Sequence, residues 1–236
     1  MTNSPTKSRI AILNIHMSEF WSGDLGLTLV TISVAILVFV ITPLREAGVP
    51  GRLFFDIIIV TLMVSGASVV DQSRLATGLV ITVVIVSAVV LWIGRVHPTQ
   101  SLHLLGSIFS TITLLLYVRI VLLVMFRGGP VTWSRIQGGV CAYLLLGMTW
   151  ASAYQFVEQL IPGSFHFVSE PTDIDQLTSR LTYYSFATLT TVGSDISPLH
   201  PFARSLSVAE AIVGQLFPAI LIGALVAMAM QARAKS

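Results

Sequence analysis

Six long apolar segments follow one another along the chain, separated by short polar connections. They cover residues 25–44, 53–70, 75–94, 102–126, 136–161 and 205–231. Each is close to the roughly 20 residues that an α-helix needs to cross roughly 30 Å of hydrocarbon. The third segment is rich in Val and Ile, but its length and its lack of alternating polar positions favour a buried helix over a strand. The pattern therefore predicts an all-α membrane protein with six transmembrane helices.

A weaker amphipathic pattern precedes the first apolar segment. Apolar residues recur at helical spacing over residues 9–21 and end in Trp21. This pattern is typical of a helix that lies in the membrane interface, with the tryptophan at headgroup level. The alternative is a cytoplasmic extension of the first span. The first apolar segment itself is longer than the core of a secretory signal peptide and lacks a small-residue cleavage site, so we expect it to be a span.

Composition supports the membrane class and argues against several other functions. Of the 236 residues, 54% are hydrophobic and only 10% are charged, whereas soluble domains carry about 25% charged residues. The net charge of +2 gives no argument for nucleic-acid binding. Cys141 is the only cysteine, so an intramolecular disulfide is excluded, and the five scattered histidines lack the spacing of a zinc site. The sequence shows no nucleophile–base set and no phosphate-binding loop, so we expect neither an enzyme nor a bound cofactor.

The most informative stretch lies between the fifth and sixth apolar segments. Residues 184–190 have the pattern of an amphipathic helix, and residues 191–198, which contain a glycine and a proline, cannot continue it. Backbone that is not helical is tolerated at membrane depth only where protein buries it or where it lines a water-filled cavity. The stretch therefore predicts a re-entrant pore loop between two spanning helices. We expect Asp175 or Thr178 to cap its helix, which would run to about Thr190.

The same stretch resembles the selectivity filter of the potassium-channel superfamily. The usual pattern there is Thr-Thr-Val-Gly-Tyr-Gly-Asp, and the corresponding residues here are Thr190, Thr191, Val192, Gly193, Ser194 and Asp195. Ser194 stands where the superfamily has Tyr-Gly, so this filter is one residue shorter. The resemblance to the two-helix pore module of the superfamily extends from residue 131 to the end of the chain and is most specific over residues 183–217.

The resemblance implies a passive cation channel. In the superfamily, backbone carbonyl groups and a threonine hydroxyl replace the hydration shell of the ion, which assigns a monovalent cation, K⁺ or Na⁺, to Thr191, Val192 and Gly193. One chain carries one pore loop and a four-sided filter needs four, so the resemblance implies a homotetramer embedded in lipid. We expect the short filter to weaken the discrimination of K⁺ from Na⁺, unless oxygen atoms of Ser194 or Asp195 replace the lost carbonyls. The alternatives are a weakly selective sodium and potassium channel, and a non-conducting structural or sensing protein with a collapsed filter.

Other residues of the pore module are assigned supporting roles. The candidates are Tyr184 and Glu210 for filter support, Gly214, Pro218 and Gly223 as hinges, and Val226 and Met230 as an inner gate. Glu210 is an ionisable residue inside an apolar helix, and we expect it to accept hydrogen bonds behind the filter, near Asp195. Proline kinks a helix, whereas the alternative role of the glycines is close helix packing. Large apolar side chains below the hinges are typical of a constriction that closes by dewetting.

The first four spans resemble a voltage-sensor domain that lacks its arginine ladder. The fourth span contains the single basic residue Arg119, and one charge moved through the whole field yields only about 2.3 kcal/mol per 100 mV. We therefore expect a scaffold rather than a sensor. The resulting domains are an N-terminus at 1–24, the scaffold at 25–126, a linker at 127–136, the pore module at 137–232 and a tail at 233–236.

The distribution of Lys and Arg predicts the orientation. With a cytoplasmic N-terminus, seven of these residues lie on the cytoplasmic side and five lie outside, which agrees in sign with the positive-inside rule. This orientation puts both termini in the cytoplasm and the pore loop on the outer side of a plasma membrane, of the bacterial inner-membrane type.

Overall fold

The computed structural model describes residues 24–47, 74–97, 99–126 and 133–234. Within these ranges the chain is mostly helical. The elements are α1 (Asp24–Ile36), a π-helix (Leu37–Ile41), α2 (Thr42–Glu46), α3 (Arg74–Val96), α4 (Gln100–Met125), α5 (Trp133–Leu160), β1 (Phe165–His166), α6 (Ile174–Leu189), β2 (Ser197–Pro198) and α7 (Pro201–Ala234). The two short strands pair antiparallel, with Phe165 opposite Pro198 and His166 opposite Ser197. This pairing joins the chain before α6 to the chain after its loop.

Five of the six predicted spans coincide with described helices. The first is a continuous helical stretch of α1, the π-helix and α2, and the third to sixth are α3, α4, α5 and α7. The predicted second span and the predicted interfacial helix lie outside the described residues. Among the described residues, three helical segments are long and apolar enough to cross a membrane, namely Gln100–Leu123, Arg135–Leu160 and Pro201–Met230. These segments agree with the predicted all-α membrane protein.

The end of the helical stretch 24–46 contacts α6 directly. The π-helix turn closes through Thr42, whose backbone N–H and side-chain hydroxyl both donate to the carbonyl of Leu37. The carbonyl of Thr42 in turn accepts a hydrogen bond of 2.9 Å from the Ser179 hydroxyl. One turn further on, Glu46 accepts a hydrogen bond of 3.2 Å from the Arg180 guanidinium. The helical stretch 24–46 therefore holds the N-terminal half of α6.

Two buried clusters form the core. The first joins α1, α4 and α5 and contains Val30, Val34, Val38, Tyr117, Val118, Cys141, Leu144 and Leu145. The second joins α5, α6, α7 and the segments beside the strands, and contains Tyr154, Phe165, Phe167, Leu177, Leu181, Tyr184, Ile196 and Ala203. In the second cluster, the rings of Tyr154, Phe165 and Tyr184 meet edge-to-face, with centroids 5.1 to 5.4 Å apart, a favoured arrangement of aromatic rings. This cluster fixes α6 against α5.

The fourth predicted span, α4, is hydrogen-bonded to α5 in its N-terminal half. The Ser107 hydroxyl donates to the Gln159 side chain over 3.1 Å, and the Thr111 hydroxyl donates to the Ser152 hydroxyl over 3.1 Å. Ser152 in turn donates to the backbone carbonyl of Ser107. Arg119 is exposed on the same helix. These bonds join α4 to the pore module of the same chain.

Candidate ion-conduction site

Helix α6 begins with a side-chain cap. Asp173 has an extended backbone, and its carboxylate accepts a hydrogen bond of 2.8 Å from the backbone N–H of Gln176. The prediction that Asp175 or Thr178 caps this helix was therefore wrong. Asp175 lies in the first turn, and the Thr178 hydroxyl donates to the carbonyl of Ile174. A capping residue must lie outside the helix, and the helix begins earlier than the sequence pattern indicates.

At its other end, α6 is followed by the loop 190–195, in which two residues have a left-handed backbone conformation. The backbone N–H of Thr190 still donates to the carbonyl of Phe186, as in a helix. Thr191 then has φ +57° and Gly193 has φ +86°, a region that glycine adopts freely and that costs other residues energy. The N–H groups of Val192 and Gly193 both point back to the carbonyl of Ala187, at 2.9 and 3.3 Å. The loop thus folds over the last turn of α6.

Most of the loop is exposed in the part of the single chain that the structure describes. The Val192 side chain is 81% exposed, and Thr190, Thr191, Gly193 and Asp195 are exposed as well. Ser194 differs, because its hydroxyl donates to the carbonyl of Ile196 over 3.0 Å and accepts from the N–H of the same residue over 3.2 Å. The predicted filter residues are therefore adjacent in one open loop, with the Ser194 hydroxyl engaged inside it.

The junction of α6 and this loop is held by two neighbouring helices. Gly214 of α7 lies so close to Leu189 that an added Cβ would be 2.0 Å from the Leu189 carbonyl oxygen. The Tyr143 hydroxyl of α5 donates to the same carbonyl over 3.3 Å, and the Gln215 side chain donates to the Thr191 hydroxyl over 3.1 Å. Neither Tyr143 nor Gln215 was predicted to have a role at the filter. The available signal was a polar residue inside an apolar span, which is typical of a functional position.

Behind the loop, two side chains predicted to support the filter connect α6 to α7. The Tyr184 hydroxyl is 2.6 Å from the Ser207 hydroxyl. Glu210 is fully buried, and its carboxyl oxygens lie 2.5 Å from the Tyr154 hydroxyl and 2.5 Å from the Ser185 hydroxyl. The contacts of Glu210 are therefore with α5 and α6, and not with Asp195 as the sequence analysis expected.

A comparison with known protein families gives a match to this part of the chain. The family model described as an ion channel matches residues 142–231. This segment is similar to ion channels. It contains most of α5, all of α6 with its loop, and most of α7. No curated protein and no solved structure matches the chain at a significant level.

The match at residues 142–231 supports an ion channel, and three described helical segments are long and apolar enough to cross a membrane. Within the described ranges, no group of three or more His, Cys, Asp or Glu side chains is placed to hold a metal ion. In the matched segment, the loop 190–195 directly follows α6 and precedes β2 and α7.

The predicted hinge and gate residues lie in one uninterrupted helix. Helix α7 continues through Pro218 to Ala234. Gly214 is packed against α6, whereas an added Cβ at Gly223 would meet no atom within 4 Å. Val226 and Met230 are 53% and 67% exposed in the single chain. The geometry therefore favours a packing role for Gly214, and the hinge and gate roles of the other residues stay predictions.

Proposed function

We propose that the protein is a homotetrameric, potassium-channel-like cation channel with the loop 190–195 as its filter. This proposal rests on the backbone carbonyls of Thr191, Val192 and Gly193, which are free to face a cation. Within the described residues, none of these three oxygens accepts a hydrogen bond. Backbone carbonyls at membrane depth need partners, and rings of carbonyls replace the hydration shell of a cation in selectivity filters.

The exposed surface of α7 supports a tetramer. In the most apolar 18-residue stretch of this helix, only 6% is buried within the single chain. Large apolar side chains are exposed along the helix, including Val208, Ile212, Leu216, Ile220 and Ile222. One loop supplies one side of a coordination shell, so other copies must supply the remaining sides. Copies of the chain around a central axis, with lipid outside, would cover this surface.

Selectivity in this proposal depends on Ser194 and Asp195. The Ser194 hydroxyl is hydrogen-bonded to the backbone of Ile196. The exposed Asp195 carboxylate is therefore a better candidate than Ser194 for an outer ring of oxygen atoms. A filter with fewer carbonyl layers holds fewer ions in series. We therefore expect K⁺ conduction with weakened discrimination against Na⁺.

The remaining helices are proposed to be a scaffold. The hydrogen bonds from Ser107 and Thr111 to α5 would have to break if α4 moved along its axis as a voltage sensor. The proposed orientation, with the loop at the outer face and the termini in the cytoplasm, rests on the Lys and Arg distribution.

The test is cation flux through the purified protein in liposomes under opposed K⁺ and Na⁺ gradients. A variant with Tyr-Gly in place of Ser194 is measured beside the wild type. We expect the wild type to pass both ions and the variant to favour K⁺ more strongly. Strong K⁺ selectivity in the wild type would contradict the weakened filter. Absence of flux in the wild type, with flux in the variant, would favour the non-conducting alternative.

A further inference from the structure

Glu210 lies where three helices of the pore module meet. Its side chain on α7 contacts Tyr154 on α5 and Ser185 on α6, and it has no exposed surface in the single chain. The Ser185 hydroxyl also lies 2.7 Å from the backbone carbonyl of Gly147 on α5. An ionised side chain in the middle of a membrane is costly unless it is paired with an opposite charge.

The contacts among Tyr154, Ser185, Gly147 and Glu210 need more protons than the two hydroxyl groups alone can supply if Glu210 is ionised. The Ser185 hydroxyl has one proton, yet oxygen atoms of Gly147 and Glu210 both lie within hydrogen-bond distance of it. If Ser185 donates to Gly147, as the distance of 2.7 Å permits, then the contact with Glu210 needs a proton on the carboxyl. If Ser185 donates to an ionised Glu210 instead, its oxygen faces the Gly147 carbonyl oxygen without a proton between them.

The neighbouring groups do not supply the missing proton. The Ser207 hydroxyl lies within hydrogen-bond distance of the Ala203 carbonyl and of the Tyr184 hydroxyl, and either hydroxyl can be the donor in the second contact. Among the described hydrogen bonds, Glu210 has contacts with Tyr154 and Ser185, and none with Ser207 or Tyr184. The Tyr154 proton is directed at the other oxygen of Glu210. The titratable side chains that interact with Glu210 across these interfaces are Tyr143, Tyr154 and Tyr184. In the part of the chain that the structure describes, no cation is paired with Glu210.

We propose that Glu210 is a neutral carboxylic acid that donates to Ser185 and accepts from Tyr154, and so positions the pore helix α6 between α5 and α7. In this arrangement the Ser185 hydroxyl donates a hydrogen bond to the Gly147 carbonyl. The protons of Tyr154, Ser185 and Glu210 then each have one acceptor. Glu210 is a positioning residue, since it acts on the loop 190–195 only through α6. Its expected effect on ion flux rests on the proposed function, but its protonation does not.

Glutamine is the natural probe, because its amide has the same shape as a neutral carboxyl. In Glu210→Gln, the NH₂ group can donate to Ser185 and the carbonyl can accept from Tyr154, so both hydrogen bonds persist. Glu158 provides the matched contrast. Its two oxygens accept from the backbone N–H groups of Gly163 and Phe165, so Glu158→Gln would turn an NH₂ group toward a donor.

The test combines infrared difference spectroscopy with thermal unfolding of the purified full-length protein at neutral pH. We expect a protonated-carboxyl C=O band in the wild type that disappears in Glu210→Gln and persists in Glu158→Gln. We also expect Glu210→Gln to unfold at the wild-type temperature, whereas Glu210→Ala and Glu158→Gln unfold earlier. Absence of the band in the wild type, or destabilisation of Glu210→Gln equal to that of Glu210→Ala, would overturn the proposal.

Flux measurements separate this proposal from the proposed channel function. If the wild type conducts, Glu210→Gln should retain its flux and Glu210→Ala should lose it. A loss of flux in Glu210→Gln would show that the negative charge is needed and would contradict the neutral acid. A wild type that shows the infrared band but no flux would support the neutral acid and contradict the channel.

Discussion

The contact between Gly214 and the end of α6 predicts a large effect of a single methyl group. In Gly214→Ala, the new Cβ would lie 2.0 Å from the Leu189 oxygen, 2.8 Å from its carbonyl carbon and 3.0 Å from its Cα. Carbon atoms pack favourably at roughly 3.5–4.0 Å. All three contacting atoms are backbone, so no side-chain rotation relieves the clash. Either α7 or the junction between α6 and the loop 190–195 must move.

The magnitude follows from two opposing effects. Alanine in a helix interior is favoured over glycine by roughly 0.8–1.0 kcal/mol. Overpacking at a rigid contact costs about 1–3 kcal/mol. Gly223 on the same helix is the control, because an added Cβ there meets no atom within 4 Å. We therefore expect Gly214→Ala to be less stable than Gly223→Ala by about 1–3 kcal/mol, since only the first carries the clash.

The assay is thermal or denaturant unfolding of both variants and the wild type in the same detergent. Flux of Gly214→Ala in liposomes is compared with wild type alone, and we expect a decrease because Leu189 immediately precedes the filter loop. Equal stability of the two alanine variants, together with wild-type flux in Gly214→Ala, would refute the close contact between α7 and Leu189.

Three further predictions test the packing, the cap and the assembly. In Gly147→Ala the new Cβ would lie 2.6 Å from the Phe186 ring, so we expect a loss of about 1–3 kcal/mol in unfolding free energy that Phe186→Leu in the same chain partly restores; no restoration would contradict the contact. Asp173→Ala should lose about 1 kcal/mol of stability, while Asp173→Asn should keep the cap and lose little; equal losses would argue against capping. Native mass spectrometry should find four copies of the 25.5 kDa chain, and a monomer would contradict the tetramer.

The helices and the position of the loop were predictable because each depends on local sequence. Long apolar runs identify the described spans without knowledge of their partners. A helical pattern that stops before Gly193 likewise locates the loop. The resemblance to a filter rests on contiguous residues for the same reason, and the matched segment of the family model contains all of them.

The contacts that hold the site could not be predicted from local sequence. Glu210 bonds to Tyr154 and Ser185, which are 56 and 25 residues away along the chain, and no spacing rule relates them. Asp173 could not be chosen over Asp175 as the cap, because the choice depends on which residue has an extended backbone. The apolar residues of the π-helix between Leu37 and Ile41 also give no local signal for its wider turn.

Two glycines allow a direct test of whether the backbone of the loop 190–195 conducts cations. Gly193 in the loop and Gly163 before β1 have φ of +86° and +84°, and an added Cβ at either meets no atom within 4 Å. Alanine in this left-handed region costs roughly 1–2 kcal/mol at either position. The measurement is K⁺ flux into liposomes containing equal amounts of folded Gly193→Ala, Gly163→Ala or wild type. We predict that Gly193→Ala loses most of the flux and that Gly163→Ala keeps it. Equal flux in the two variants would contradict the claim that this loop is the filter.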